Sequence, residues 1–284
     1  MNENQIKLIK RLKKKQEIKR ILGKMWKYLG KSEFRSVILN YHSIHPTYSF
    51  STKPVDFQKQ IELLQVYFKV ISLSEFHNLY RSGTLGKDNY AIIAFDDGYE
   101  DNFIYAFPII KKFKIKPTIF IVTGFVNKEI DITKDFQVYR GLSPLSWKQI
   151  KEMSEYEVEF GSHTHSHPNL VKIDLNKVKE ELIISKDMIE SQIKKEVVFF
   201  AYPWGQLNYF NSKIVSVVKY IGYNLACSTL WGNVDEEDSI LTLPRIRIDP
   251  WDTLEDFKAK ILGEWDYIKY FQVLRSFLKR FYDK

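Results

Sequence analysis

Short apolar runs alternate with amphipathic stretches over most of this chain. Residues 37–39, 91–95, 118–122 and 197–201 are rich in Ile, Val, Phe and Ala, residues 224–228 centre on Leu-Ala-Cys, and all are too short for helices. They read as buried strands. Between them, Phe57, Ile61 and Leu64 repeat at helical spacing, and residues 103–113, 175–193 and 212–221 carry the same period. Ser72 with Glu75, and Ser146 with Gln149, have the capping-box spacing that opens a helix. Strand and helix in repeated succession imply a parallel sheet whose loops gather at one end.

The two ends break this pattern. Residues 1–35 hold twelve Lys/Arg against three Glu, a balance of +9 in a chain of net charge +8, so the rest is nearly neutral. Ile18, Ile21, Leu22, Met25 and Leu29 fall on one helical face with basic residues around them. Three uses fit such a helix: lying on an anionic membrane surface, attracting an acidic partner, or packing its apolar stripe on the body. Nucleic acid is not expected, because no recognised binding module accompanies the charge. The stretch is no signal peptide, since no continuous apolar region or cleavage site follows, and no stretch approaches the ~20 apolar residues of a membrane span. With a single cysteine, Cys227, an internal disulfide is excluded. The expected location is the cytoplasm, with peripheral membrane contact. The aromatic, basic segment 265–281 reads as a final helix.

Candidate chemistry sits in two stretches. In 91–103, AIIAFDDGYEDNF, a strand ends by presenting Asp96 and Asp97 at its C-terminal tip. Two adjacent like charges call for a cation or a proton, although Asp-Asp-Gly also makes good turns. In 161–170, GSHTHSHPNL, three of the six histidines of the chain fall within five residues. An extended backbone puts His163, His165 and His167 on one face, whereas a helical turn pairs His163 with His167. Either way two imidazoles can join Asp97 in a two-histidine, one-carboxylate set with positions left open for water and substrate.

Phe95-Asp96-Asp97-Gly98, His163-Thr164-His165-Ser166-His167 and Phe199-Phe200-Ala201-Tyr202-Pro203-Trp204-Gly205 together resemble the first three motifs of the polysaccharide deacetylases, the NodB-homology or carbohydrate esterase family 4 enzymes. The resemblance implies an α/β fold, a distorted (β/α) barrel of about seven parallel strands over residues 36–257, with a basic helical extension at 1–35 and a helical tail at 258–284. It implies a metal-dependent hydrolase that removes N-linked acetyl groups from N-acetylhexosamine units of a polysaccharide or glycolipid. Asp97, His163 and His167 would hold a divalent metal, Zn²⁺ first, with Co²⁺, Ni²⁺ and Mn²⁺ also compatible. Asp96 would be the general base, and the backbone N–H of Trp204 would face the oxyanion.

Two departures from the family pattern stand out. The third-motif arginine that orients the base is Ala201 here, and no histidine follows His167. Tyr41-His42 resembles a branch, including biofilm polysaccharide deacetylases, in which an early histidine enters the site. His42 is therefore the candidate acid for the departing nitrogen. Leu243-Pro244-Arg245-Ile246 also looks like that branch, which makes Arg245 the candidate partner of Asp96, with Arg247 one alternation further along. Two other functions remain open on these residues: a glycan-binding protein without turnover, and a hydrolase of another small amide or ester.

Overall fold

The computed structural model describes residues 3–26, 34–134 and 141–282, in which the apolar runs form one parallel sheet flanked by helices. In chain order, α1 (Glu3–Trp26), β1 (Ser36–Tyr41), α2 (Pro54–Tyr67), β2 (Lys69–Val70), α3 (Leu73–Arg81) and β3 (Tyr90–Phe95) come first. Then follow α4 (Phe107–Phe113), β4 (Thr118–Ile121), α5 (Thr123–Val126), α6 (Trp147–Glu155), β5 (Glu159–Ser162) and α7 (Leu175–Ile193). The chain ends with β6 (Phe199–Ala201), α8 (Ser212–Tyr220), β7 (Leu225–Cys227), β8 (Ile246–Arg247), α9 (Leu254–Ile261) and α10 (Tyr267–Tyr282). Strands run in the order β7-β6-β5-β4-β3-β1-β8, with β2 beside the start of β3. Every named ladder is parallel. This is the distorted barrel of about seven strands that the family resemblance implies.

Local chemistry explains the element ends. Both expected capping boxes form, with Ser72 accepting from the Glu75 amide at the start of α3 and Ser146 from the Gln149 amide at the start of α6. The expected helix over 103–113 opens instead with a π-helical turn, Asn102–Ala106, before α4. Pro108 supplies a reason, because it cannot donate to the preceding turn.

The segment from Ile240 to Arg247 joins the two edges of the sheet. Leu243 donates to Ala226 of β7, and its carbonyl accepts from Ser228, while Ile246 and Arg247 pair with Leu39 and Asn40 of β1. Arg245 lies in the crossing, and its side chain is buried. Its amide donates to the Leu230 carbonyl rather than to a strand.

The N-terminal helix docks by a different face from the apolar stripe. Arg20 pairs with Asp256 through two nitrogens, and the Tyr267 hydroxyl donates to the Lys19 carbonyl at 3.0 Å. Gly23 meets Trp265 so closely that a Cβ there would lie 2.9 Å from the indole, so the approach requires glycine. Of the stripe, Leu22 packs on the core, whereas Ile18, Ile21 and Met25 are more than half exposed. Leu29 lies outside the described residues. Packing of the whole stripe on the body is therefore not what occurs. Residue 257, the expected boundary of the body, falls inside α9.

Candidate active site

Three loops that leave the C-terminal ends of parallel strands converge on one point. β3 ends at Phe95, so Asp96 and Asp97 follow as the backbone turns. Asp97 adopts φ 74° and Gly98 φ 80°, and a Cβ on Gly98 would sit 2.8 Å from the Ile121 side chain. Thr164 at φ 67° and His167 at φ 56°, after β5, and Trp204 at φ 64°, after β6, share this left-handed conformation. Such backbone costs on the order of 1–3 kcal/mol per residue and persists where the surroundings enforce it. Lys114, Lys128, Glu157 and Lys194 adopt it as well, so it is the convergence of the three loops that marks the site.

The geometry separates the roles of the two carboxylates. Asp96 turns into the barrel, where Arg245 donates from both terminal nitrogens, 2.7 Å to each oxygen, and Asn40 Nδ2 donates to Oδ2 at 3.0 Å. Arg245 is held in turn by the Ser228 carbonyl, 2.7 Å from Nε. Burial alone would push the Asp96 carboxyl up, but the charge of Arg245 and its two hydrogen bonds outweigh it and hold the group well below the usual carboxylate range. Asp96 is thus fixed as an anion. Arg247 points elsewhere, to Asp249.

Asp97 faces the histidines. His163 Nε2 and His167 Nε2 lie 3.6 and 3.7 Å from Asp97 Oδ1, and potential ligand atoms of the three residues fall within 4.8 Å of one another. His163 Nδ1 sits 2.7 Å from the Ala201 carbonyl, which can only accept, so the proton is on Nδ1 and the Nε2 lone pair faces Asp97. Burial pushes both imidazoles down, to about 4, and keeps them neutral at physiological pH. A buried anion with two neutral imidazoles is a donor set that fits a divalent cation. His165 is turned away, with Nδ1 3.0 Å from Thr123 Oγ1 and Nε2 3.1 Å from Glu129. The backbone therefore curls rather than extends, and pairs the first histidine with the third.

His42 and Trp204 complete the rim. His42, one residue beyond β1, is close enough to Asp96 and His167 to act on both electrostatically. The Trp204 ring lies 5.6 Å from His167 and is stacked on Tyr209 at an interplanar angle of 16°.

Several supporting residues carry no sequence signal of their role. Buried Glu181 of α7 accepts from the His165 and Ser166 amides and the Ser166 hydroxyl at 2.7–3.0 Å, which fixes the loop that presents His167. In sequence it is one acidic residue among many on a polar helix. Asn102 donates to the His42 carbonyl at 2.9 Å and to Asp101. Asp101 also accepts from Ser43, and burial pushes its carboxyl up to about 7.

Comparison with known proteins agrees with this geometry. The sequence profile of the polysaccharide deacetylases matches residues 84–226. The poly-β-1,6-N-acetyl-D-glucosamine N-deacetylase of Staphylococcus aureus is 31% identical over 228 residues, which cover 77% of this chain and 73% of that protein. Among solved structures, the Streptococcus pyogenes deacetylase PplD in complex with acetate superposes with a TM-score of 0.69 at 25% identity, over 80% of this chain and 98% of that one. IcaB from Ammonifex degensii shares the fold, with a TM-score of 0.68 at 22% identity over 80% and 97% of the two chains.

Proposed function

We propose a function from one premise: this chain belongs to the polysaccharide deacetylase family. It is a hydrolase of amide bonds, and it removes N-linked acetyl groups from N-acetylhexosamine units of a glycan. The relative from Staphylococcus aureus points to poly-N-acetylglucosamine as the first substrate to test. The observation that carries the reading is the pairing of a buried anion, Asp96, fixed by Arg245, with the adjacent cluster of Asp97, His163 and His167.

Asp97, His163 and His167 would hold the cation, Zn²⁺ first, which when bound supplies Lewis acidity toward the acetyl carbonyl and lowers the pKa of water. Asp96 takes the proton of the attacking water. Its carboxylate has about four acceptor positions, of which Arg245 and Asn40 use three, so one remains for that water. Arg245 stands in for the arginine whose family position is occupied by Ala201. The Trp204 backbone N–H stabilises the oxyanion, and its ring, backed by Tyr209, forms a wall for the sugar.

His42 protonates the departing nitrogen. An amine leaves poorly as an anion, so this step matters for amides and little for esters with good leaving groups. Acetate release from N-acetylglucosamine oligomers and from an aryl acetate, compared for the parent chain and His42→Ala, tests the reading. The amide rate should fall about a hundred-fold or more while the ester rate changes less than about five-fold. Equal losses on both substrates would make His42 structural, and an absence of acetate from all N-acetylated oligomers would remove the proposed substrate class.

A further inference from the structure

The docking of α1 leaves an apolar surface uncovered. Ile18, Ile21 and Met25 lie at helical spacing on the face of α1 opposite Gln16 and Gly23, which are buried against the body. Beside it, α10 presents Phe271, Val273 and Leu274, each more than half exposed, while its Gln272 faces inward, accepting from the Trp231 amide and donating to the Thr229 carbonyl. Trp26 joins the two helices, with ring centroids 5.4 Å from Tyr270 and 6.4 Å from Tyr267. Two amphipathic helices therefore meet with apolar side chains exposed on both.

Charge decides what covers them. Residues 1–35 carry a balance of +9, and residues 258–284 add seven Lys/Arg against three Asp/Glu, so the part of the chain between them is net negative. Lys10, Arg11, Lys14 and Lys15 of α1 are exposed. A second copy on this face would bring like charges together, and exposed aliphatic groups give nucleic acid nothing to read. An anionic lipid surface satisfies both features, since basic residues meet headgroups while Ile, Met, Leu and Phe enter the acyl boundary. Among the described residues no helix is long and apolar enough to cross a membrane.

We propose that α1 and α10 form a docking surface for an anionic lipid bilayer. The platform is linked to the active site, because Gln272 holds Thr229, whose hydroxyl donates to the Trp204 carbonyl at 2.7 Å. Docking would hold the chain at a surface where a membrane-proximal glycan is presented.

The test is co-sedimentation of the full chain with vesicles of phosphatidylcholine alone and with about a third phosphatidylglycerol. Binding should be about ten-fold or more tighter on the anionic vesicles and should weaken with salt. The triple substitution Ile18→Ser, Ile21→Ser, Met25→Ser and the pair Phe271→Ser, Leu274→Ser should each weaken it about ten-fold. Lys10→Glu, Arg11→Glu, Lys14→Glu should weaken it about a hundred-fold. An unchanged thermal melt identifies folded variants, so the result does not depend on whether the chain deacetylates. Equal partition onto both vesicle types, or anionic binding that folded apolar variants retain, overturns the proposal. So does a chain that ignores vesicles but binds duplex DNA or dimerises through these residues.

Discussion

Asp96→Asn is expected to lower kcat for acetyl-amide hydrolysis by about a hundred- to ten-thousand-fold, the usual worth of a positioned general base. The substitution preserves size but removes the proton acceptor. It also places an amide NH₂ where a carboxylate oxygen accepts from Arg245, so one guanidinium N–H of a buried cation faces a donor. Some loss of stability accompanies the loss of rate, and kinetics belong at a temperature where the variant is folded. Metal affinity should change little, because the cation set is built from Asp97, His163 and His167. A variant that keeps parental kcat would show that another group takes the proton. One that loses both metal and rate would show that Asp96 belongs to the cation site.

The second large effect is on stability. Arg245→Leu removes the guanidinium that pairs with buried Asp96 at 2.7 Å, and losing one partner of a buried ion pair costs about 3–5 kcal/mol. The pH dependence carries the sign of the mechanism. In the parent, Arg245 more than offsets burial and holds the Asp96 carboxyl below its unfolded value, so its contribution is present above the unfolded pKa and is lost only in stronger acid. In the variant burial goes unopposed by Arg245 and the folded pKa rises above the unfolded one, so the penalty grows with pH. Urea unfolding of both proteins should show a deficit that is largest near neutrality and narrows toward about pH 4.5, as Asp96 takes up a proton. A deficit independent of pH would mean that Arg245 stabilises by packing alone. Arg245→Lys should recover part of the stability but not the two-point hold on Asp96.

Much of this site was legible because its chemistry is local. The run AIIAF ending in Asp96-Asp97 specifies a buried strand with two carboxylates at its tip, and His163 and His167 sit on one loop of five residues. The boundaries of α7 agree with its period and with Asp174, which caps it through two backbone amides. Less was legible wherever partners are distant in sequence. Arg245 and Arg247 look equivalent by strand alternation, yet β8 covers only Ile246 and Arg247, so Arg245 belongs to the crossing between sheet edges and turns inward. Glu181 and Asn40 act through contacts that no periodicity announces. The α1 stripe left three uses open for a related reason. A helical period says which residues share a face, and only the body, through Asp256 and Trp265, decides which face docks.

The most direct measurement is acetate release from N-acetylglucosamine oligomers by chelated protein titrated with Zn²⁺, alongside Asp97→Ala. Release should rise from a baseline near zero and saturate at about one equivalent of metal per chain, and Asp97→Ala should neither retain the metal nor turn over. Undiminished release from fully chelated protein, or parental turnover by Asp97→Ala, would contradict a hydrolytic site built on Asp97, His163 and His167.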